Sequence, residues 1–205
     1  MFTKIRFVIA SITLAVVGVS VSVSASEDAP FRAKAASEYA NQASEKVTVG
    51  AKEFDTEELT AEAFGKKADL LKYGLLPVLV VIENKRDRAI DIQNIQVELV
   101  ATDGRHGQAI SPEDVMHMGE TGKKPPKLGG GPLPFPLPKK KNPLNTPEIV
   151  ERAFSAKVVP ANDSVSGFFY FEARPEAGDS LYLSGVRDVR TSKELLYYEF
   201  PLAVK

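Results

Sequence analysis

Residues 75–83 read LLPVLVVIE, a continuous apolar run of strand length that is rich in β-branched side chains. A polar stretch follows at residues 84–88, and residues 90–101 then alternate apolar and polar side chains. Alternation with a period of two is typical of a strand that has one buried face. The two stretches therefore predict a β-hairpin with a five-residue connection.

Strand-like patterns recur on both sides of this hairpin. Residues 47–54 predict a first strand. Residues 164–173, SVSGFFYFEA, predict a late strand in which the aromatic residues are consecutive. Residues 180–189 and 194–204 predict a closing hairpin, since apolar side chains alternate along its last strand. About seven strands in a chain of this size predict a β-sandwich with short added helices.

Short helices are predicted at three places between the strands, over residues 56–73, from residue 111 to about residue 117, and over residues 146–154. Each begins at a residue that is a good N-cap, namely Asp55 or Thr56 for the first, Ser111 for the second and Thr146 for the third. Gly65 weakens the middle of the first helix, so two shorter helical pieces are the alternative there.

The first 25 residues predict a secretory signal peptide. Lys4 and Arg6 provide a basic start, seventeen uncharged residues follow from Phe7, and Val23-Ser24-Ala25 provides a small-residue cleavage site. An uncleaved membrane anchor is the alternative, but seventeen helical residues span only about 25 Å, less than the ~30 Å hydrocarbon core. We therefore expect an exported protein, in the periplasm or outside the cell.

The composition excludes several classes of function. Without Lys4 and Arg6, the 26 basic residues become 24 against 27 acidic ones, so no basic field indicates nucleic-acid binding. The chain has no cysteine, which excludes disulfides, thiol chemistry and iron–sulfur clusters. No second apolar run reaches membrane-spanning length, so we expect no membrane span in the mature chain.

The N-terminal region after the signal, residues 26–46, is rich in alanine and polar residues. An apolar stripe on a helix is predicted because Phe31, Ala35, Tyr39 and Ala43 fall four residues apart, although the stripe is thin. A disordered arm is the alternative. The predicted organisation is thus a signal peptide at 1–25, a helical or disordered arm at 26–46, and a β-sandwich at 47–205. An inserted excursion at 105–155 contains a flexible loop at 119–145.

Two strings resemble the immunoglobulin-like, telokin-like domains of bacterial exported proteins. The string VLVVIENKRDRAIDIQNIQVELVATDG (78–104) is similar to their opening hairpin, in which a strand ends in Asn and the next ends in Asp-Gly. The string VVPANDSVSGFFYFEARPEAGDSLYL (158–183) is similar to their later Pro-turn and Gly-aromatic-x-aromatic-Glu strand. The resemblance implies an immunoglobulin-like fold outside the cytoplasm and assigns no activity.

Residues that carry catalytic or metal chemistry are few. The two histidines are His106 and His117. Asp114 and His117 are three residues apart, so on a helix they lie on the same face and could supply two metal ligands. A zinc site needs three or four ligands, so a metal-dependent, hydrolase-like enzyme using His106, Asp114 and His117 is the minor hypothesis. We predict no cofactor and no metal. Asn84 is expected to be structural, bonding the backbone of its own turn.

The most distinctive segment is 123–143, where six lysines surround a triple glycine and the run PLPFPLP at 132–138. Alternating prolines predict an extended, polyproline-like backbone that displays its apolar side chains to a partner. The candidate contact residues are Lys123, Lys124, Lys127, Leu133, Phe135, Leu137, Lys139, Lys140 and Lys141.

A partner for this segment would be another envelope protein or an acidic surface. A tolerated flexible insertion is the alternative. The sequence therefore predicts a non-enzymatic binding or accessory module of the cell envelope.

Overall fold

The computed structural model describes residues 31–121, 142–174, 178–195 and 197–202. The predicted signal peptide and all nine candidate contact residues of the 123–143 segment lie outside the described residues. No helix in the described part of the chain is long and apolar enough to cross a membrane.

The described chain is mainly β. The strands are β1 (Ala40–Ser44), β2 (Val47–Glu53), β3 (Leu75–Asn84), β4 (Ile90–Asp91), β5 (Gln96–Val100), β6 (His106–Gln108), β7 (Val158–Val159), β8 (Asp163–Glu172), β9 (Ser180–Ser184), β10 (Arg187–Asp188) and β11 (Tyr198–Pro201). The helices are α1 (Glu57–Phe64), α2 (Pro112–Thr121) and α3 (Pro147–Glu151), with single 3-10 turns at Ala36–Glu38 and Leu71–Tyr73.

The strands form three antiparallel sheets, in the orders β1-β2-β3-β8, β10-β4-β7 and β11-β9-β5-β6. This arrangement, with few helices, is consistent with the predicted β-sandwich. The number of strands exceeds the predicted seven because four of them, β4, β6, β7 and β10, contain only two or three residues.

Strand β3 is buried on both of its faces, and nine of its ten residues are buried. Alternate residues from Leu76 to Ile82 face a core shared with the sheet that contains β5 and β9. The others, including Leu79 and Val81, face a second core that the helices cover. Two apolar faces explain why the 75–83 run is continuous rather than alternating.

The predicted hairpin between 75–83 and 90–101 is wrong. Strand β3 pairs with β2 on one edge and with β8 on the other, so both of its edges are occupied. The polar turn after Asn84 instead carries the chain to the other sheets, where β4 pairs with β7 and β10 and β5 pairs with β6 and β9. The closing hairpin is confirmed in part: β9 pairs with β11, but the predicted strand 180–189 is split, and its end forms β10 in another sheet.

The N-terminal arm is not the helical or disordered segment that the sequence predicted for residues 26–46. In its described part, a 3-10 turn precedes β1, which pairs along its whole length with β2. The turn between the strands places Glu45 and Lys46 at φ of 46° and 63°. Positive φ at both central residues is the geometry of a tight two-residue hairpin turn, which overrides the weak helical spacing.

The first predicted helix forms as two pieces. Thr56 caps α1 by accepting a hydrogen bond from the Leu59 N–H, and Gly65 ends the helix at φ 81°. A separate 3-10 turn then ends at Gly74, at φ 75°. The alternative of two shorter helical pieces is thus confirmed.

The predicted loop at 119–145 is structured at both of its ends. Helix α2 continues to Thr121, four residues beyond the predicted end. On the other side, the Asn142 side-chain amide donates to the Met116 carbonyl at 2.7 Å, and Leu144 is fully buried. The predicted third helix is shorter than expected, because α3 ends at Glu151 and leaves Phe154 in an extended segment.

Residue Gln42 of β1 ties the edges of two sheets together. Its side-chain amide donates to the Glu199 carbonyl at 2.6 Å and accepts from the Glu199 N–H at 3.0 Å. Glu199 belongs to β11, the edge strand of the other sheet. The Gln42 amide therefore bonds this edge in the way that a backbone peptide group of a neighbouring strand would.

Asn84 is a structural residue, as predicted, and its side chain also bonds the backbone of a segment outside its own turn. Its side chain is buried, accepts from the Arg86 N–H at 3.1 Å, and donates to the Arg88 carbonyl at 2.8 Å. The same amide nitrogen also lies 3.1 Å and 2.8 Å from the carbonyl oxygens of Val159 and Pro160. One side chain thus fixes the exits of β3 and β7.

We predict that Asn84→Ala destabilises the protein by about 3 kcal/mol, because each buried polar group left without a partner costs about 1–3 kcal/mol. Urea denaturation of the purified protein measures this loss. Asn41→Ala is the matched control, since the exposed Asn41 amide bonds only nearby carbonyls, and we expect a change within about 0.5 kcal/mol. Equal effects of the two substitutions would contradict the structural role of Asn84.

Candidate binding groove

The predicted metal residues do not form a ligand set. His106 is exposed on β6, and its Nδ1 lies 2.9 Å from the Glu98 carboxylate on the neighbouring strand. Asp114 is engaged at the start of α2, where its N–H donates to the Ser111 hydroxyl at 3.1 Å and its carboxylate accepts from that hydroxyl at 2.8 Å. Ser111 is therefore the predicted N-cap.

His117 lies on the exposed side of α2. Within residues 31–121, 142–174, 178–195 and 197–202, no three His, Cys, Asp or Glu side chains lie close enough together to hold a metal ion. The structure thus does not bring His106, Asp114 and His117 together as a site.

A groove of about 420 Å³ opens beside the outer edge of β8. Three parts of the chain form its walls: the start of β5, the segment that joins β6 to α2, and the extended segment after α3. The lining residues are Ile95, Gln96, Val97, Glu98, Gln108, Ala109, Ile110, Ser111, Pro112, Ala153, Phe154, Phe168 and Phe169.

The groove lies where irregular segments, rather than a strand, satisfy the outer edge of β8. The Ile110 N–H donates to the Tyr170 carbonyl at 2.8 Å, and the Phe154 N–H donates to the Phe168 carbonyl at 3.0 Å. The contacts are single bridges, antiparallel at Ile110 and parallel at Ala153. Neither segment pairs with β8 along a strand, and the groove lies between these segments and the start of β5.

Stacked phenylalanines form part of the floor of the groove. The rings of Phe154 and Phe169 lie 5.0 Å apart at an interplanar angle of 24°, and both side chains are half-buried. Gly167 makes this arrangement possible, since a Cβ at that position would lie 2.5 Å from the Cα of Phe154. A glycine in an otherwise bulky strand is the sequence signal for such a close approach of two backbones.

The rim of the groove is polar and acidic. Gln96, Gln108 and Ser111 offer hydrogen-bonding groups, and Glu98, whose side chain is 32% exposed, is the ionisable residue of the lining. Pro112 opens α2, whose first turn adds Glu113 and Asp114. The lining of the groove thus offers one carboxylate together with amide and hydroxyl groups that can hydrogen-bond a ligand.

A second charged cluster links three connections at one end of the sheets. The Arg86 guanidinium lies 2.7 Å from the Asp188 carboxylate and 3.4 Å from the Glu45 carboxylate. Asp188 is buried and also accepts from the backbone N–H groups of Arg190 and Thr191, at 3.0 and 3.1 Å. Because the Asp188 carboxylate already accepts from these protein groups, we interpret the cluster as one that stabilises the fold.

The bonds of Asp188 make the stability of the protein depend on pH. Hydrogen bonding from Thr191 lowers the pKa of Asp188 below its ordinary value of 3.8, with Arg190 and the Arg86 charge acting in the same direction against the effect of burial. Because the pKa is lower in the folded than in the unfolded state, the ionised carboxylate stabilises the fold above the unfolded value. This contribution is lost as the pH falls through the folded value.

We predict that Asp188→Asn destabilises the protein at about pH 7 and that this difference from the wild type shrinks as the pH falls below about 4. Urea midpoints of both proteins across this range measure the effect. Asp87→Asn is the control, because the Asp87 side chain is 84% exposed and solvent screens its ion pair with Arg88. A difference at Asp188 that is the same at every pH would contradict the prediction.

Comparisons with known proteins identify no family. No protein-family model and no curated protein matches the sequence. Among solved structures, the chain is similar to the X-ray structure of the Northeast Structural Genomics Consortium target SoR45, with 9% identity over 78% of this chain and 90% of that chain. The TM-score of 0.32 is too low for this likeness to support a conclusion about fold or function.

Proposed function

We propose that this protein is a non-enzymatic binding module of the cell envelope that takes an extended apolar segment of a polypeptide in the groove beside β8. The observation that carries the proposal is the stacked pair of Phe154 and Phe169 in an open groove with a polar rim. Aromatic floors with amide and carboxylate groups at their edges are typical of sites that bind extended peptides.

The proposed location outside the cytoplasm rests on the sequence. The basic start, apolar run and small-residue site of residues 1–25 support export. The absence of cysteine is compatible with that location, because burial and hydrogen bonding then replace disulfides as the source of stability.

We further propose that the β-sandwich is immunoglobulin-like. The two strings that resemble such domains, 78–104 and 158–183, pair with each other element by element. Strand β3 pairs with β8, β4 with β7 and β5 with β9. This pairing supports the view that the two strings form one structural unit, with the helical excursion between them.

We predict that peptides selected on the intact protein from a random 12-residue display library are rich in apolar residues flanked by lysine or arginine. The apolar residues would pack on the phenylalanine floor, and the basic ones would face Glu98. Phe154→Leu should weaken binding of such a peptide about fivefold, since aromatic contacts add about 0.5–1.5 kcal/mol beyond buried area. Fluorescence polarisation of a labelled peptide measures the affinity.

Two further variants define the site. Glu98→Lys should weaken binding most at low ionic strength, because salt screens rim charges. Lys193→Ala is the control, since Lys193 is exposed, pairs with Glu45 and is not among the residues that line the groove, and it should leave the affinity unchanged. A library that yields no enriched peptide, or binding that survives both groove substitutions, would disprove the proposed function.

A further inference from the structure

We infer that the groove binds its partner by β-strand addition, in which an extended segment of another polypeptide pairs with the open edge of β5 at Val97. The inference rests on the proposed function, because it names the way in which the proposed peptide groove recognises a segment. In this mode of binding, main-chain hydrogen bonds provide affinity, and side chains that alternate between two faces provide specificity.

The two edges of β5 are paired to different extents. On one edge, β9 pairs with the whole strand, from Gln96 to Val100. On the other edge, β6 pairs only with the part from Glu98 to Val100. Among the residues that the structure describes, no strand pairs with Gln96 or Val97 on that edge. The first part of β5 is thus an open edge, and both of these residues line the groove.

The edge is open because the chain leaves β6 early. If β6 continued in the register that pairs Glu98 with Gln108, Ala109 would lie opposite Val97. Instead the next residue, Ile110, is bound to the other sheet, where its N–H donates to the Tyr170 carbonyl at 2.8 Å. The crossing from β6 to β8 therefore ends the pairing of β5 one residue short of Val97.

The backbone groups of Val97 point towards the groove. On the β6 side of the strand, the Ala101 N–H donates to the Arg105 carbonyl at 2.9 Å. Alternate residues of a strand direct their backbone groups to the same edge, so those of Val97 share the edge of Ala101. The Val97 side chain belongs to the core between the sheets, yet Val97 is a lining residue. Its peptide groups therefore border the groove and offer a template for a further strand.

The opposite edge of the same sheet is protected against such pairing. At β11, the Gln42 side-chain amide bonds both the N–H and the carbonyl of Glu199. Pro201 of the same strand has no N–H to donate. Because natural proteins commonly block edges that would pair with other chains, an edge left open beside an aromatic floor supports a role in binding a partner strand.

A strand added to β5 would present its side chains to two different surroundings. Side chains on the face of Val97 would meet the stacked rings of Phe154 and Phe169, which pack against the same core. Side chains on the other face would lie beside Gln96 and Glu98. Since neighbours across a sheet interact, a basic side chain there would pair with the Glu98 carboxylate. The partner is thus an extended segment in which apolar and basic residues alternate.

The first test is a backbone scan of a bound peptide. The probe is a 12-residue peptide selected on the intact protein, synthesised as a series in which one amide at a time is N-methylated. Methylation of the amides that face β5 should weaken binding about tenfold, and methylation of the intervening amides should weaken it less than about twofold. Fluorescence polarisation measures each affinity on the natural protein, so no variant has to fold.

A second measurement locates the paired edge on the protein. When the peptide is bound, the amide proton of Val97 should move downfield in the NMR spectrum, because its N–H gains a hydrogen-bond acceptor. Leu99 is the matched control, since it directs its backbone to the same edge but is already paired with Gly107. The amide proton of Leu99 should therefore keep its position.

The outcomes separate this inference from the proposed function. If the scan shows no period of two, or if the Val97 amide proton does not move, while Phe154→Leu still weakens peptide binding, strand addition is overturned and the proposed function stands. A period of two with a shift at His106, on the outer edge of β6, would also overturn the assignment to β5. If no selected peptide binds at the groove, both proposals fail.

Discussion

Strand β3 is the element on which the rest of the structure depends, because it needs cover on two faces and partners on two edges. Its edges are paired with β2 and β8 along their length, and its faces meet a sheet on one side and helices on the other. Burial of this kind is the main favourable term in folding. The position of each neighbouring element follows from the edge or face of β3 that it covers.

This constraint also explains why a helical layer exists in a domain that is mainly β. Three β3 side chains, those of Leu75, Leu79 and Val81, together with Phe168 and Tyr170 of β8, would lose their cover if α1, α2 and α3 were absent. Phe168 lies at the centre of an aromatic cluster there, with ring centroids of Phe54 and Phe64 at 4.9 and 4.7 Å. The excursion between residues 105 and 155 thus contributes core residues such as Val115 and Ile149.

The sequence predicted local features well where one residue decides the geometry. The break at Gly65, the N-cap at Ser111 and the role of Asn84 follow from single residues that act on their own backbone. Pairing partners were not predictable in this way, since the choice of β8 over β5 as the neighbour of β3 depends on burial of both faces. A turn of two residues at Glu45 and Lys46 likewise outweighed the spacing that favoured a helix.

The groove was only partly visible in the sequence. A glycine among bulky residues, Gly167, is a signal that could have pointed to a close approach by another backbone, but not to which one. Phe154 was assigned to a helix, and its stacking on Phe169 depends on α3 ending three residues earlier. A site built from the edges of three distant segments requires the tertiary structure, whereas the proline-rich run was evident from composition.

The bond between Gln42 and Glu199 has a consequence for the order in which the chain must assemble. An edge strand with free peptide groups is a template for pairing with another molecule. Strand β11, at the end of the chain, has Glu199 covered by a side chain that is synthesised more than a hundred residues earlier. Because Gln42 precedes Glu199 in the chain, β1 is already synthesised when β11 emerges, and the Gln42 amide then occupies the peptide groups of Glu199 that another molecule would otherwise pair with.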